Sequence, residues 1–263
     1  MASMTYSDLL PSLVACCQEA QSENPELSRT QFLRWCHYNI YSIPWRSWEV
    51  LDVFRQHSNS EDLAGCRVLD LGCGLGAMAL YFLLDANASS VVGMDVDIPA
   101  LKKMNRVLAA HRLNGLRLVA ADLAHEPSAR NSYDLIVSYD SYYYLGIDRR
   151  EVAKQNLELL RDGGTLIIKV VNRLFPPYGI LSLPGIRTAV PRILGRTENA
   201  SGRRFGIVQP NAPTSVGLAR LLRNSGFTDV AVYNRISRRS AGMSRWFLPD
   251  MFVAARKGSQ NVI

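Results

Sequence analysis

The 263-residue chain contains no stretch of roughly 18 apolar residues free of charge or helix breakers, which argues against a membrane-spanning helix. Its first twenty residues, MASMTYSDLLPSLVACCQEA, lack the basic start and small-residue cleavage site of a secretory leader. Asp8 and Glu19 are equally unlike a transit peptide, so the expected location is the cytoplasm. Cysteine is sparse: five residues (16, 17, 36, 66 and 73), an odd number with no C-x-x-C pair. That excludes a regular disulfide framework and an ordinary zinc site, and leaves reduced thiols that mostly pack. Acids are scarce in one region only. Residues 173–263 hold 14 Lys and Arg against 3 Asp and Glu, and 13 of those 14 are arginine, although the whole chain carries only +7. An arginine-rich last third suits phosphate, carboxylate or an anionic surface; the plainer reading is a solvated basic face.

What is present is a 48% apolar, 20% charged composition, enough for one large α/β core with appendages. The segments TYSDLLPSLVACCQEA and SRTQFLRWCHYNIY have helical apolar spacing, the second with a Ser/Thr start, and Pro44 within IPWRSW is expected to interrupt them. From CRVLDLG onward, strand and helix alternate. Strands are expected at 91–96, 116–123, 133–140 and 163–172, with helices at 77–85, 100–112 and 149–161. Continuous Val/Ile/Leu runs mean a mostly parallel sheet covered on both faces. The alternation stops after Asn172. Residues 173–213 are rich in proline and glycine, and a helix (TSVGLARLLRNSGF) and two strands (TDVAVYNRI, DMFVAARK) close the chain. The expected divisions are an N-terminal helical cap or lid over 1–60, a core over 61–172, an insertion over 173–213 contributing to an acceptor site, and closing elements over 214–263.

VLDLGCGLGAMAL, residues 68–80, places an acid and the glycines 72, 74 and 76 at the end of the first strand. Glycine turns of this kind hold nucleotides, and Gly72, Gly74 and Ala77 also satisfy a dinucleotide pattern. Asp70 breaks the tie. A carboxylate at the strand end repels a pyrophosphate but attracts an α-ammonium group, so a nucleoside carrying an amino acid fits better. Asp95 ends the second strand and Asp122 the third, on the side where such sheets take ligands.

With these motifs the sequence resembles the class I S-adenosylmethionine-dependent methyltransferases. The resemblance implies a doubly wound, Rossmann-like, seven-stranded and mostly parallel sheet, with the helical cap in front and the insertion after strand five. It implies S-adenosyl-L-methionine as cofactor. Asp70 and the turn Gly72, Cys73, Gly74 and Gly76 would hold the methionine portion. Asp95 would chelate the ribose hydroxyls with Val96 against the adenine, and Asp122 would accept from the adenine amino group with Leu123 beside it; Ser138 joins this set at the fourth strand.

The acceptor is expected near the ends of strands four and five. There the chain runs Ser138-Tyr139-Asp140-Ser141-Tyr142-Tyr143-Tyr144. Asp140 is a candidate general base or amine anchor, or a helix cap. Tyr143 and Tyr144 are candidates for a wall against a flat substrate or a cation, and at least one tyrosine of the cluster simply packs. His37 and Tyr38 are candidates on a lid helix, and His125 is a candidate base. The chain after strand five is similar to the ubiquinone-type O-methyltransferases. Their metal-binding E-x-x-E-H aligns with Asp140, Tyr143 and Tyr144, so two of three ligands are replaced and no metal is expected.

The leading expectation is methylation of a hydroxyl or amine on a small or amphiphilic molecule in biosynthesis. Apolar residues and arginines alternate in 173–213 and again in SRRSAGMSRWFLP, which suits a lid or contact with an anionic membrane. The rivals are a nucleic-acid methyltransferase and a non-catalytic cofactor-binding subunit. SYDSYY replaces the [DN]-P-P-[YF] of base-modifying relatives and no RNA-binding module is recognisable, so no nucleic-acid partner is expected. Oligomeric state is not legible.

Overall fold

In the computed structural model the residues described are 4–23, 28–58, 60–121, 130–142, 148–171, 214–235 and 250–259. They form seven strands: β1 (Arg67–Leu71), β2 (Ser90–Asp95), β3 (Leu116–Ala120), β4 (Tyr133–Tyr139), β5 (Leu160–Val171), β6 (Phe227–Asn234) and β7 (Asp250–Lys257). All join one sheet in the order β3-β2-β1-β4-β5-β7-β6. β1 to β5 pair in parallel and β7 runs antiparallel to both of its neighbours. This is the expected doubly wound, mostly parallel architecture.

Alternate strand residues feed two apolar layers, because side chains on a strand point to opposite faces. Val68, Leu135, Val137, Ile167 and Ala254 face one layer. Leu69, Ile136, Leu166, Ile168 and Val253 face the other. The first layer is covered by α1 (Leu10–Glu23), α3 (Ile43–Ser58), α4 (Ala77–Leu84) and α5 (Ile98–Ala110). The second is covered by α6 (Arg149–Leu159) and α7 (Ser215–Asn224). Sheet strands buried on both faces read as continuous apolar runs, which is why the alternation was legible. The helix starts are equally local: Asp97 accepts from Ala100 N, Asp148 from Arg150 N and Thr214 from Gly217 N.

The N-terminal helices share this core. Tyr6, fully buried, donates its hydroxyl to Ile40 O while its backbone N–H donates to Asp85 Oδ2 of the α4 end. Ser12 Oγ pairs with His111 Nε2 beyond α5. After α2 (Arg29–Cys36) the chain makes a single π-helical turn, His37–Tyr41, before α3. Pro44 does not interrupt a helix as expected. It is the second residue of α3, where a missing N–H costs nothing.

The insertion at 173–213, the loop 236–249, Asp122, Leu123, His125, Tyr143 and Tyr144 lie outside the described residues. Among the described residues, no helix is long and apolar enough to cross a membrane.

Candidate functional site

The carboxyl ends of β1, β2, β4 and β5 converge on one edge of the sheet. After β1 the chain turns through Gly72, Gly74 and Gly76, with φ of 72°, 56° and 85°. Only glycine adopts these angles without strain. Gly72 has a second reason: a Cβ there would lie 2.2 Å from Ser141 Cβ. Gly74 has nothing within 4 Å of such a Cβ, so this side of the turn is open. The turn is tied to β2, since the N–H groups of Gly72 and Cys73 donate to Met94 O at 2.8 and 3.0 Å. Asp95 completes the tie, its Oδ2 accepting from Gly74 N at 2.7 Å and its Oδ1 from Asp97 N at 2.9 Å. Each oxygen retains a second lone pair for a ligand hydroxyl. Beyond Asp95, Val96 and Ile98 are 47% and 49% exposed, an apolar platform where a base would lie.

Asp70 is 2% exposed and its Oδ2 has no hydrogen-bond partner among the described residues. Burial pushes its carboxyl up to about 7, with Arg46 pulling it down and Asp95 pushing it further up. A buried carboxylate oxygen without a partner, a glycine turn open on one side and an exposed apolar platform fit a nucleoside that carries an ammonium group. The thiol of Cys73 is pushed well up by burial and by the charges of Asp70 and Asp95, so it is not a nucleophile here. Ser138 is fully buried and its hydroxyl is bonded to Ser141 Oγ at 2.8 Å, which locks the loop after β4 against Gly72.

On the β4 side, Asp140 has a left-handed backbone (φ 59°). Its Oδ1 accepts from Lys169 Nζ of β5 at 2.6 Å and its Oδ2 from Tyr38 OH at 2.9 Å. Lys169 also pairs with Asp250 of β7 at 3.1 Å. Burial raises the Asp140 carboxyl, but Lys169, Arg46 and the Tyr38 hydroxyl outweigh it and hold the group below its ordinary value. Arg46 donates from Nη1 to Tyr38 O at 2.9 Å and from Nη2 to Tyr38 OH at 3.0 Å. Its guanidinium carbon stands 4.0 Å from the centre of the Tyr38 ring and 4.2 Å from that of Tyr139. Tyr139 OH donates to Glu49 Oε2 at 2.7 Å, and Arg235 bridges Glu49 and Asp250 at 2.9 and 2.8 Å. The cap helix α3 is thus bonded to the ends of β4, β6 and β7 by alternating charges.

The structure brings Asp70, Gly72, Cys73, Gly74, Gly76, Asp95 and Val96 together at one end of the sheet and sets Asp140 beside them. It does not bring His37 to Asp140. The histidine is exposed on the π-helical turn, and its neighbour Tyr38 makes the contact instead. Tyr139 and Tyr142 are buried in opposite apolar layers, the packing role expected of at least one tyrosine in the cluster. Sequence reading passed over Arg46, Lys169, Glu49 and Arg235. Lys169 had a signal, as a lone charge in the apolar strand LIIKVV; Arg46 had a weaker one, a cation among the aromatics of IPWRSW.

A family model described as a methyltransferase domain matches residues 68–164, from the start of the VLDLG motif into β5. The chain is 27% identical over 114 residues to the phthiotriol/phenolphthiotriol dimycocerosates methyltransferase of Mycobacterium tuberculosis, covering 43% of this chain and 41% of that protein. It is 32% identical over 144 residues to the tRNA U34 carboxymethyltransferase of Methylococcus capsulatus, covering 51% of this chain and 41% of that one. The chain thus spans about two fifths of the length of the curated relatives it matches. Among solved structures, an S-adenosylmethionine-dependent methyltransferase from Mesorhizobium loti shares the fold, with a TM-score of 0.52 at 20% identity over 78% of this chain and 97% of that one. Sheet order and matched domain agree: residues 68–164 carry a methyltransferase domain, on a doubly wound sheet whose fold is shared with S-adenosylmethionine-dependent methyltransferases.

Proposed function

We propose that the protein moves a methyl group from S-adenosylmethionine to a hydroxyl or amine of a small or lipid-like molecule. The observation that carries this reading is the position of Asp140 and Tyr38: a carboxylate and a phenol, hydrogen-bonded to each other, one strand over from the cofactor turn. Tyr38 is 40% exposed, and Tyr41, Trp45 and Trp48 beside it are also exposed, which gives an aromatic surface at this edge. The cofactor supplies an electrophilic methyl on a sulfonium, and the chain's part is to align an acceptor in line with it. On this reading Asp70 takes the ammonium group, Asp95 the ribose hydroxyls and Val96 one face of the base.

Asp140 is held ionised by Lys169, so it is a weak proton acceptor. It serves better as an anchor for an ammonium or hydroxyl donor, and it orients the Tyr38 hydroxyl. The Mycobacterium tuberculosis relative is named for phthiotriol and phenolphthiotriol dimycocerosates, derivatives of hydroxyl-bearing compounds, which favours oxygen. The +11 balance of residues 173–263 supports contact with an anionic acceptor or membrane surface by an otherwise cytoplasmic protein.

One observation favours a second reading: the relative named for tRNA U34, taken with the same basic third, suits an RNA acceptor. Incubating the purified protein with methyl-labelled S-adenosylmethionine and cell extract separates the two. Label in the organic or small-molecule fraction is expected; label in RNA, with log affinity falling linearly against log salt, would replace the first reading by the second. Product in either fraction also excludes a purely cofactor-binding subunit.

A further inference from the structure

Of the large apolar side chains left exposed among the described residues, the densest group lies on the cap: Leu33, Tyr41, Trp45 and Trp48 are 56%, 54%, 57% and 36% exposed. Their spacing places them on one face of the helical run from α2 through the π-helical turn into α3. The turn has a part in this. Ser42 N–H donates to His37 O, a bond to the fifth residue back where an α-helix uses the fourth, and the extra residue it takes up keeps Tyr41 in line with Leu33. The other side of the run is packed, with Cys36, Ile40, Ile43, Val50 and Phe54 in the first apolar layer. Trp45 and Trp48 lean on each other with 5.2 Å between ring centres. The Trp45 Nε1 hydrogen is already donated to Glu49 Oε1 at 3.1 Å, so the ring offers apolar surface outward.

The charges around this stripe are of one sign. Arg29 and Arg34 are exposed on α2, and between residues 28 and 51 the sole acid is Glu49, which is 2% exposed and neutralised by Arg235. The next acid, Asp52, is half-buried and is followed by the exposed Arg55. Exposed aromatic rings bordered by arginine suit the boundary of an anionic bilayer, where indole and phenol rings lie at headgroup depth and guanidinium groups pair with phosphate. A second copy of the chain fits less well, because a two-fold contact would set the same arginines against each other. We propose that this face of the cap docks the protein on an anionic membrane surface, with Leu33, Tyr41, Trp45 and Trp48 in the headgroup region and Arg29 and Arg34 on lipid phosphates. Tyr38, on the same π-helical turn, bonds to Asp140 through its hydroxyl, so docking brings the Asp140 edge of the sheet to the bilayer. That an amphiphilic acceptor is methylated there rests on the proposed function above; the docking itself does not.

The test is co-sedimentation of the full chain with vesicles of phosphatidylcholine alone, or of phosphatidylcholine mixed equally with phosphatidylglycerol, in the absence of cofactor and acceptor. The wild type is expected to bind the anionic vesicles about tenfold or more tightly than the neutral ones. Arg29→Gln with Arg34→Gln is expected to weaken anionic binding about 10- to 30-fold, about fivefold per charge. Leu33→Gln with Trp45→Gln is expected to weaken it about tenfold or more. All four side chains are exposed, so both double variants are expected to keep the wild-type circular dichroism and melting temperature. Trp45→Phe with Trp48→Phe is expected to keep vesicle binding but to lose most of the fluorescence quenching by lipids brominated in the upper acyl chain. Wild-type chain that ignores anionic vesicles overturns the assignment. So does binding that survives both glutamine double variants, which would move the contact to the arginines of residues 173–263. A lipid-free dimer in light scattering that Leu33→Gln with Trp45→Gln dissolves also overturns it, by giving the face to a second copy. Because the vesicles carry neither cofactor nor acceptor, any of these results leaves methyl transfer standing, and a failure of methyl transfer leaves the docking standing.

Discussion

At the scale of single residues, the site is governed by which charges are paired. Asp140 and Asp70 end neighbouring parallel strands, but Lys169 holds the first ionised while nothing described bonds to Oδ2 of the second. The groups that act on Asp70 are Arg46 from α3, Asp95 from β2 and the backbone N–H of Ala79 in α4, and burial with Asp95 outweighs Arg46 and that hydrogen bond to raise its carboxyl to about 7. An ammonium ligand binds the ionised form, so binding below pH 7 must expel a proton. S-adenosylhomocysteine affinity is therefore predicted to be level above pH 7 and to fall toward about tenfold per pH unit below it, a slope that Asp70→Asn removes. Titration calorimetry between pH 5.5 and 8 measures this, and a level profile in the wild type would refute it. Lys169 bridges two carboxylates with its side chain only 6% exposed. Lys169→Met is predicted to cost roughly 3 to 5 kcal/mol in denaturant unfolding, because Asp140 loses its cation. A loss under about 1 kcal/mol would mean that the pair is solvated in solution.

At the scale of elements, the glycine turn separates fold from ligand. Gly72 is pressed against Ser141, whereas the open side of Gly74 faces empty space. Gly72→Ala is predicted to lower the melting temperature by several degrees and to spoil binding as a consequence. Gly74→Ala carries only the backbone strain of its φ, about 1 kcal/mol, yet is predicted to weaken S-adenosylhomocysteine at least tenfold. Equal effects of the two on melting and binding would show that the open side of Gly74 is not where the cofactor lies. These elements were legible because their signals are local: an acid at a strand end, glycines at fixed offsets, strands with both faces buried. Pro44 was misread because proline marks a helix start as readily as a break, and only the tertiary position of α3 decides which. His37 and Tyr38 are both candidates in the sequence, since each carries suitable chemistry on the same segment. The π-helical turn, which no periodicity announces, sets the orientation that gives Tyr38 the contact.

At the scale of the whole molecule, the charge network from Tyr38 through Asp140, Lys169, Asp250 and Arg235 to Glu49 joins residues in or directly after six elements spread over most of the chain. Pairings at such separation leave no spacing in the sequence, which is why the cofactor half of the site was legible and the half that joins cap to sheet was not. On the proposed function, one edge of the sheet holds two adjoining sites, a cofactor site at the ends of β1 and β2 and an acceptor site at the ends of β4 and β5, the second braced by this network. The most direct test measures both in one variant. For Asp140→Asn, S-adenosylhomocysteine affinity is predicted to stay within about twofold of wild type, while transfer of labelled methyl to the acceptor fraction falls at least tenfold, the scale of one lost charged contact. Undiminished transfer would contradict the account by removing Asp140 from the acceptor site.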